Sequence, residues 1–180
     1  TARAMGIPLE QMPLWDPAAP ALGGHSADVL RHSRVILWKG LCSVHQVFQP
    51  EHIARFRNAH PAGRVIVHPE CQMDVVDQAD QAGSTAAIID AVAQSPPGAC
   101  WGIGTELNLV NRLKQQYPDQ QIEFLADADG LCPTMYRIDL PHLCWAAENL
   151  AAGTPVNVIT VEPEIAAGAL LALQRMLDVH

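Results

Sequence analysis

Short apolar runs recur along the chain, each bounded by Gly, Pro, Asp or Ser and most followed by a stretch with helical spacing. Residues 12–15, 34–38, 64–68, 100–103, 122–125 and 156–161 read as strands. They are short and mostly do not alternate between apolar and polar positions, the mark of strands covered on both faces. Between them, the spacing predicts helices over Ala27–His32 behind Ser26, over Pro50–Ala59, over Thr85–Ala93 behind Ser84, and over 106–117 behind an N-cap at Thr105. Two more follow, 141–152 behind Asp139 with Gly153 as the closing cap, and Pro163–Leu177. Strand and helix in alternation imply an α/β fold with short parallel sheets joined by right-handed crossovers. The stretches 17–24 and 126–130, rich in Pro, Gly, Ala and Asp, read as loops.

Composition narrows the classes. With 180 residues, 49% hydrophobic and 17% charged, the chain can bury one good core or two small ones. A formal charge of -8 and the lack of any Lys/Arg cluster argue against binding a phosphate backbone, so no nucleic-acid partner is expected. No apolar run reaches the roughly eighteen residues of a membrane span, and no basic-plus-apolar leader opens the chain, so a cytoplasmic protein without a membrane partner is expected. Five widely spaced cysteines, an odd number, fit reduced thiols or metal ligands better than a disulfide framework. Residues 1–6 read as the last turn of a helix ending on Gly6, so the chain is expected to begin inside a domain of a longer protein.

Reactive residues gather where the apolar runs end. Cys42 follows the run 34–38 and Cys132 follows the run 122–125, and ligands of open parallel sheets collect at strand carboxyl ends. Either cysteine alone reads equally well as a small buried residue. Together they read as thiolates converging on a metal or cluster, iron–sulfur or zinc, with a third ligand from outside the chain or from His45. Cys71, Cys100 and Cys144 read as structural, the last two as core. His68-Pro69-Glu70 ends the run 64–68 and offers an imidazole and a carboxylate for proton transfer, or simply a solvated pair. Gly83-Ser84-Thr85 opens a helix and suits a phosphate or carboxylate, or an ordinary cap. The apolar stripe from Ala166 to Met176 reads as core or interdomain packing.

At these residues the sequence closely resembles the quinolinate synthases, the A proteins of bacterial NAD biosynthesis. The resemblance rests on Trp38-Lys39-Gly40-Leu41-Cys42-Ser43-Val44-His45-Gln46, His68-Pro69-Glu70-Cys71, Ala82-Gly83-Ser84-Thr85, Gly104-Thr105-Glu106 and Cys132-Pro133-Thr134-Met135-Tyr136-Arg137-Ile138-Asp139, and runs nearly end to end. It implies three α/β/α domains about a pseudo-threefold axis, with 1–42 ending the second, 43–132 forming the third and 133–180 packing back on the first. It implies a 4Fe-4S cluster held by one cysteine near the end of each domain: Cys42, Cys132 and a third upstream of Thr1. Three-cysteine ligation would leave one iron open as a Lewis acid while iminoaspartate and dihydroxyacetone phosphate condense to quinolinate, with loss of phosphate and water. His68 and Glu70 become catalytic, substrate-contacting residues, Ser84 and Thr85 anion ligands, and Met135 a pocket residue. Cys71 is not a cluster ligand, and L-aspartate oxidase is an expected partner as supplier of iminoaspartate. Two alternatives stand beside this: a non-catalytic α/β module with a structural zinc on Cys42, Cys132 and His45, or an inactive fragment.

Overall fold

The computed structural model describes residues 2–3, 5–127 and 130–178, which fall into two compact units, Thr1–Cys132 and Pro133–His180. Each is α/β or helical in its own right and is described by itself. Residues 128 and 129 of the expected 126–130 loop, and Thr1 and Ala4 of the expected first turn, lie outside the described residues.

The first unit opens with two very short parallel strands, β1 (Leu14–Trp15) and β2 (Leu37–Trp38), in register Leu14 to Leu37 and Trp15 to Trp38. The expected runs 12–15 and 34–38 thus shrink to two residues each, and Pro13, which has no N–H to give a ladder, marks the boundary. Between them lies α1 (Ala27–His32), whose cap Ser26 accepts from the Val29 amide. Gly23 sits at φ +64°, and a Cβ there would fall 2.5 Å from the Trp15 ring, so only glycine lets the two-strand segment close.

The main sheet follows. Helix α2 (Pro50–Ala59), strand β3 (Arg64–Val67), helix α3 (Met73–Gln78), strand β4 (Gln81–Ala82), helix α4 (Thr85–Ala93), strand β5 (Cys100–Gly104), helix α5 (Leu107–Gln116) and strand β6 (Gln121–Phe124) form a four-stranded parallel sheet in the order β4-β3-β5-β6. Alternation along β3 decides the layers: Val65 and Val67 face one side with Phe48, Ile53, Phe56 and Val75, while Ile66 faces the other with Ile88, Val92, Trp101, Val110 and Leu113. The result is α2 and α3 below the sheet and α4 and α5 above it, a three-layer α/β/α sandwich as the periodicity implied. Helices α2, α4 and α5 bury residues three or four apart, Ile53 with Phe56, Ile88 with Val92, Val110 with Leu113, while the short α3 buries Val75 alone.

The chain leaves β3 toward β4, then crosses back over β3 to β5. A reversal with fixed crossover hand moves the helix from one face to the other, and leaves a crevice between the carboxyl ends of β3 and β5. That crevice positions the site described below.

Several expectations change. Helix α3 and strand β4 were not legible in the sequence: β4 is a two-residue edge strand whose pairing, Ile66 to Gln81 and Val67 to Ala82, is fixed by its neighbour rather than by its own apolarity. The cap of α5 is Glu106, whose carboxylate accepts from the Leu109 amide, and not Thr105, which is buried one residue beyond β5. In the second unit, helices α6 (Leu140–Ala151) and α7 (Pro163–Leu177) bury none of their residues. Cys144 is exposed, its thiol donating to Glu148, and the Ala166–Met176 stripe is exposed too, because two helices alone do not close a layered core. Residues 156–161 form no strand. Asn157 sits at φ +57°, a left-handed conformation that breaks extended backbone, and the segment finds no neighbouring strand. No described helix is long and apolar enough to cross a membrane.

Candidate active site at the carboxyl edge of the sheet

Beyond β3 the backbone makes one more ladder bond, His68 N–H to the Gly104 carbonyl at 2.9 Å, and then turns. The Cys71 amide bonds back to the His68 carbonyl at 3.0 Å, closing a four-residue turn in which Pro69 holds the second position. This is why His68 and Glu70 stand at the crevice: the turn carries them away from the sheet just past its last β3–β5 bond. Glycine at 104 lets the strands approach, since a Cβ there would lie 2.8 Å from Val67.

The second contributor is the loop after β2. His45 N–H bonds to the Cys42 carbonyl at 3.1 Å, an i to i−3 bond that starts the 3-10 turn His45–Val47. Residues three apart in such a turn eclipse, so Cys42 and His45 present their side chains together. Val44 and Phe48, both buried, anchor the turn in the unit's core.

The two loops meet side chain to side chain. His45 is 7% exposed, and its Nδ1 lies 3.1 Å from Glu70 Oε2. Its ring stacks on that of His68 with centroids 4.2 Å apart and planes 8° from parallel. The Glu70 amide donates to His68 Nδ1 at 3.3 Å, which assigns the His68 ring proton to Nε2. Burial lowers the pKa of His45 from the usual imidazole value, the neighbouring His68 adds to that, and Glu70 opposes both. His45 Nε2 is buried with no hydrogen-bond partner among the described residues. Cys42 Sγ, a His45 ring nitrogen and a Glu70 carboxylate oxygen all lie within 4.8 Å of one another. Cys42 and Glu70 line a cavity of about 500 Å³ together with Trp38, Gly40, Leu41 and Gln46.

Cys71 behaves differently. It is 6% exposed, its thiol donates to the Gly104 carbonyl at 3.7 Å, and burial pushes its pKa up to about 12. A thiol held neutral in the core is a poor ligand.

Of the residues expected at the site, Cys42, His68 and Glu70 are brought together. Ser84 and Thr85 follow β4 on the same sheet edge, where the Gly83 amide bonds to the Val67 carbonyl, Ser84 caps α4 by accepting from Ala87, and both side chains are exposed. Cys132, half-buried, ends the segment leaving β6, and Gly130 within that segment accepts from the Leu107 amide at the start of α5. Met135 belongs to the second unit, in the 3-10 turn Met135–Arg137. The contact of His45 with both Glu70 and His68 was missed in the sequence, where His45 figured only as a metal ligand. Its spacing from Cys42 was the available signal.

Comparison with known proteins gives the chain's family. Residues 8–178 match the model of the family described as "Quinolinate synthetase A protein". The chain is 54% identical over 179 residues to the quinolinate synthase of Rhodopirellula baltica, covering 99% of this chain and 46% of that protein. It is 53% identical over 177 residues to that of Anoxybacillus flavithermus, covering 98% and 48%, and 47% identical over 175 residues to that of Herpetosiphon aurantiacus, covering 97% and 46%. The chain therefore spans about half the length of the curated relatives it matches. A family match over nearly every residue, joined to the His-Pro-Glu turn and the Cys42 loop at one sheet edge, places this chain in the quinolinate synthetase A protein family.

Proposed function

We propose that the chain forms part of a quinolinate synthase, contributing to the condensation of iminoaspartate with dihydroxyacetone phosphate and the loss of phosphate and water that yields quinolinate. The observation that carries this reading is the Cys42, His45, His68 and Glu70 corner at the switch point of the sheet, opening on a cavity of about 500 Å³.

The residues present fit an iron–sulfur group. Cys42 is a half-buried thiol on the cavity wall and Cys132 a half-buried one following the last strand of the same sheet, soft donors suited to iron and sulfide. Cys42 and Cys132 would hold a 4Fe-4S cluster with a third cysteine from outside these 180 residues, in a pseudo-threefold arrangement of domains. When bound, the cluster with an open iron supplies Lewis acidity toward a substrate oxygen.

The protein groups do the proton work. Glu70 is 59% exposed in its side chain and reaches the cavity, so its carboxylate can take a proton from a substrate carbon beside an imine or carbonyl. His45, 3.1 Å away, orients that carboxylate. His68 presents its Nε2 proton for an oxygen that leaves as water. Ser84 and Thr85, at the amino-terminal end of α4, suit the phosphate or a carboxylate of the substrate, and Met135 belongs to the same reading as a substrate-binding residue. L-aspartate oxidase as the supplier of iminoaspartate and a cytoplasmic site of action belong to the same reading.

Glu70→Gln in the full-length enzyme tests it. We expect iron content to stay at the wild-type level while quinolinate formation falls about 100- to 10,000-fold, the scale of a lost general base. Undiminished turnover would remove Glu70 from the chemistry.

A further inference from the structure

We propose that, in the absence of an assembled iron–sulfur cluster, Cys42, His45 and Glu70 together bind a single divalent cation of the zinc class. This is a different occupant of the corner, with a different ligand set: it uses neither Cys132 nor any cysteine outside the chain.

Three observations lead to it. One ligand atom from each residue lies within 4.8 Å of the other two, so a shift of the exposed Glu70 side chain closes the set around one ion. His45 is more than nine-tenths buried, and with Nδ1 turned to Glu70 its Nε2 is left in the interior without a hydrogen bond. Nδ1 is therefore the ring nitrogen that an ion beside Glu70 would meet, with the ring proton kept on Nε2, and imidazole is the commonest metal ligand. Nδ1 and the Glu70 carboxylate oxygen, 3.1 Å apart, stand at about the separation of two ligands on one ion, so their hydrogen bond gives way to shared ligation. Finally, the cavity that Cys42 and Glu70 line leaves room for water as a fourth ligand.

Charge and softness select the ion. On binding, the Cys42 thiol loses its proton to solvent, His45 remains neutral and Glu70 is a carboxylate. Two negative ligands against a divalent cation leave a site of zero net charge, which a half-buried corner tolerates. One thiolate and one imidazole favour Zn2+, Co2+ or Fe2+ over Mg2+ or Ca2+. The nearby Cys71 thiol stays out, bonded to the Gly104 carbonyl.

Cobalt serves as the probe, because Co2+ bound to thiolate gives a near-ultraviolet charge-transfer band and four-coordinate Co2+ gives visible bands that Zn2+ lacks. Full-length protein stripped anaerobically of iron and sulfide is titrated with Co2+. We expect one Co2+ per chain with one thiolate's charge-transfer band, and displacement by Zn2+ but not Mg2+. Cys42→Ser should abolish the band. Losing even an outer partner of a metal ligand costs about 10- to 100-fold in affinity, so Glu70→Gln should weaken Co2+ about 10-fold or more. Glu70 is exposed, so that variant folds even if His45→Ala does not. Cys132→Ser should lose the cluster yet keep the cobalt band, which separates this site from the cluster site. Loss of the band in Cys132→Ser, no band in the wild type, or unchanged affinity in Glu70→Gln would each overturn the proposal.

Discussion

Two thiols at the same sheet edge show how environment assigns roles to one residue type. Cys42 sits half-buried on the cavity wall, whereas Cys71 is in the core, and burial there pushes its pKa from 9.0 up to about 12. Cluster-free protein treated with iodoacetamide at pH 8 should therefore be alkylated at Cys42 well before Cys71, as peptide mass spectrometry will show. Equal labelling would mean that the turn from His68 to Cys71 opens readily. The shift also has a sign for stability. Between about 9 and about 12 the folded state keeps a proton on Cys71 that the unfolded chain releases, so this group's contribution is complete below pH 9 and lost as pH rises toward 12. Urea midpoints measured from pH 8 to 10.5 should fall more steeply in wild-type protein than in Cys71→Ala. At this scale the sequence showed which residues carry chemistry but not their contacts: the stacking of His45 on His68 joins residues 23 positions apart, and no local pattern encodes it.

Elements were legible where burial and periodicity coincide. Strands β3, β5 and β6 and helices α2, α4 and α5 fall within about two residues of expectation, since each carries its own apolar face. Strand β4 and helix α3 depend on neighbours and left no such trace. Sheet closeness is set by glycine. At Gly102 a Cβ would come within 2.8 Å of Leu125 and 3.0 Å of Phe56, between the sheet and α2. Gly102→Ala should cost about 1–3 kcal/mol by overpacking, read as a lowered urea midpoint with unchanged slope. The cap of α4 offers a milder contrast: Ser84→Ala removes the bond to the Ala87 amide and should cost about 1 kcal/mol. If Ser84 also holds substrate, the same variant raises KM beyond what the stability loss explains.

At the scale of the molecule, an α/β sandwich presents its chemistry at one edge because the strand order reverses between β3 and β5, and His68 and Glu70 follow β3 there while Cys132 follows β6. Fold class was readable from the alternation of apolar runs with helical spacing, and family from the motifs and their order. The exposed apolar faces of α6 and α7 were not, because helical spacing reports a stripe to be covered and says nothing of what covers it. Ligation is likewise a property of more than these 180 residues, which span about half of their relatives. Iron and acid-labile sulfide, counted per chain in anaerobically purified full-length protein, test the central claim most directly. Cys42→Ser and Cys132→Ser should each lose nearly all of both, and Cys71→Ser should retain the wild-type content. Equal loss in all three, or full iron and sulfide in Cys42→Ser, would contradict a cluster held at this sheet edge.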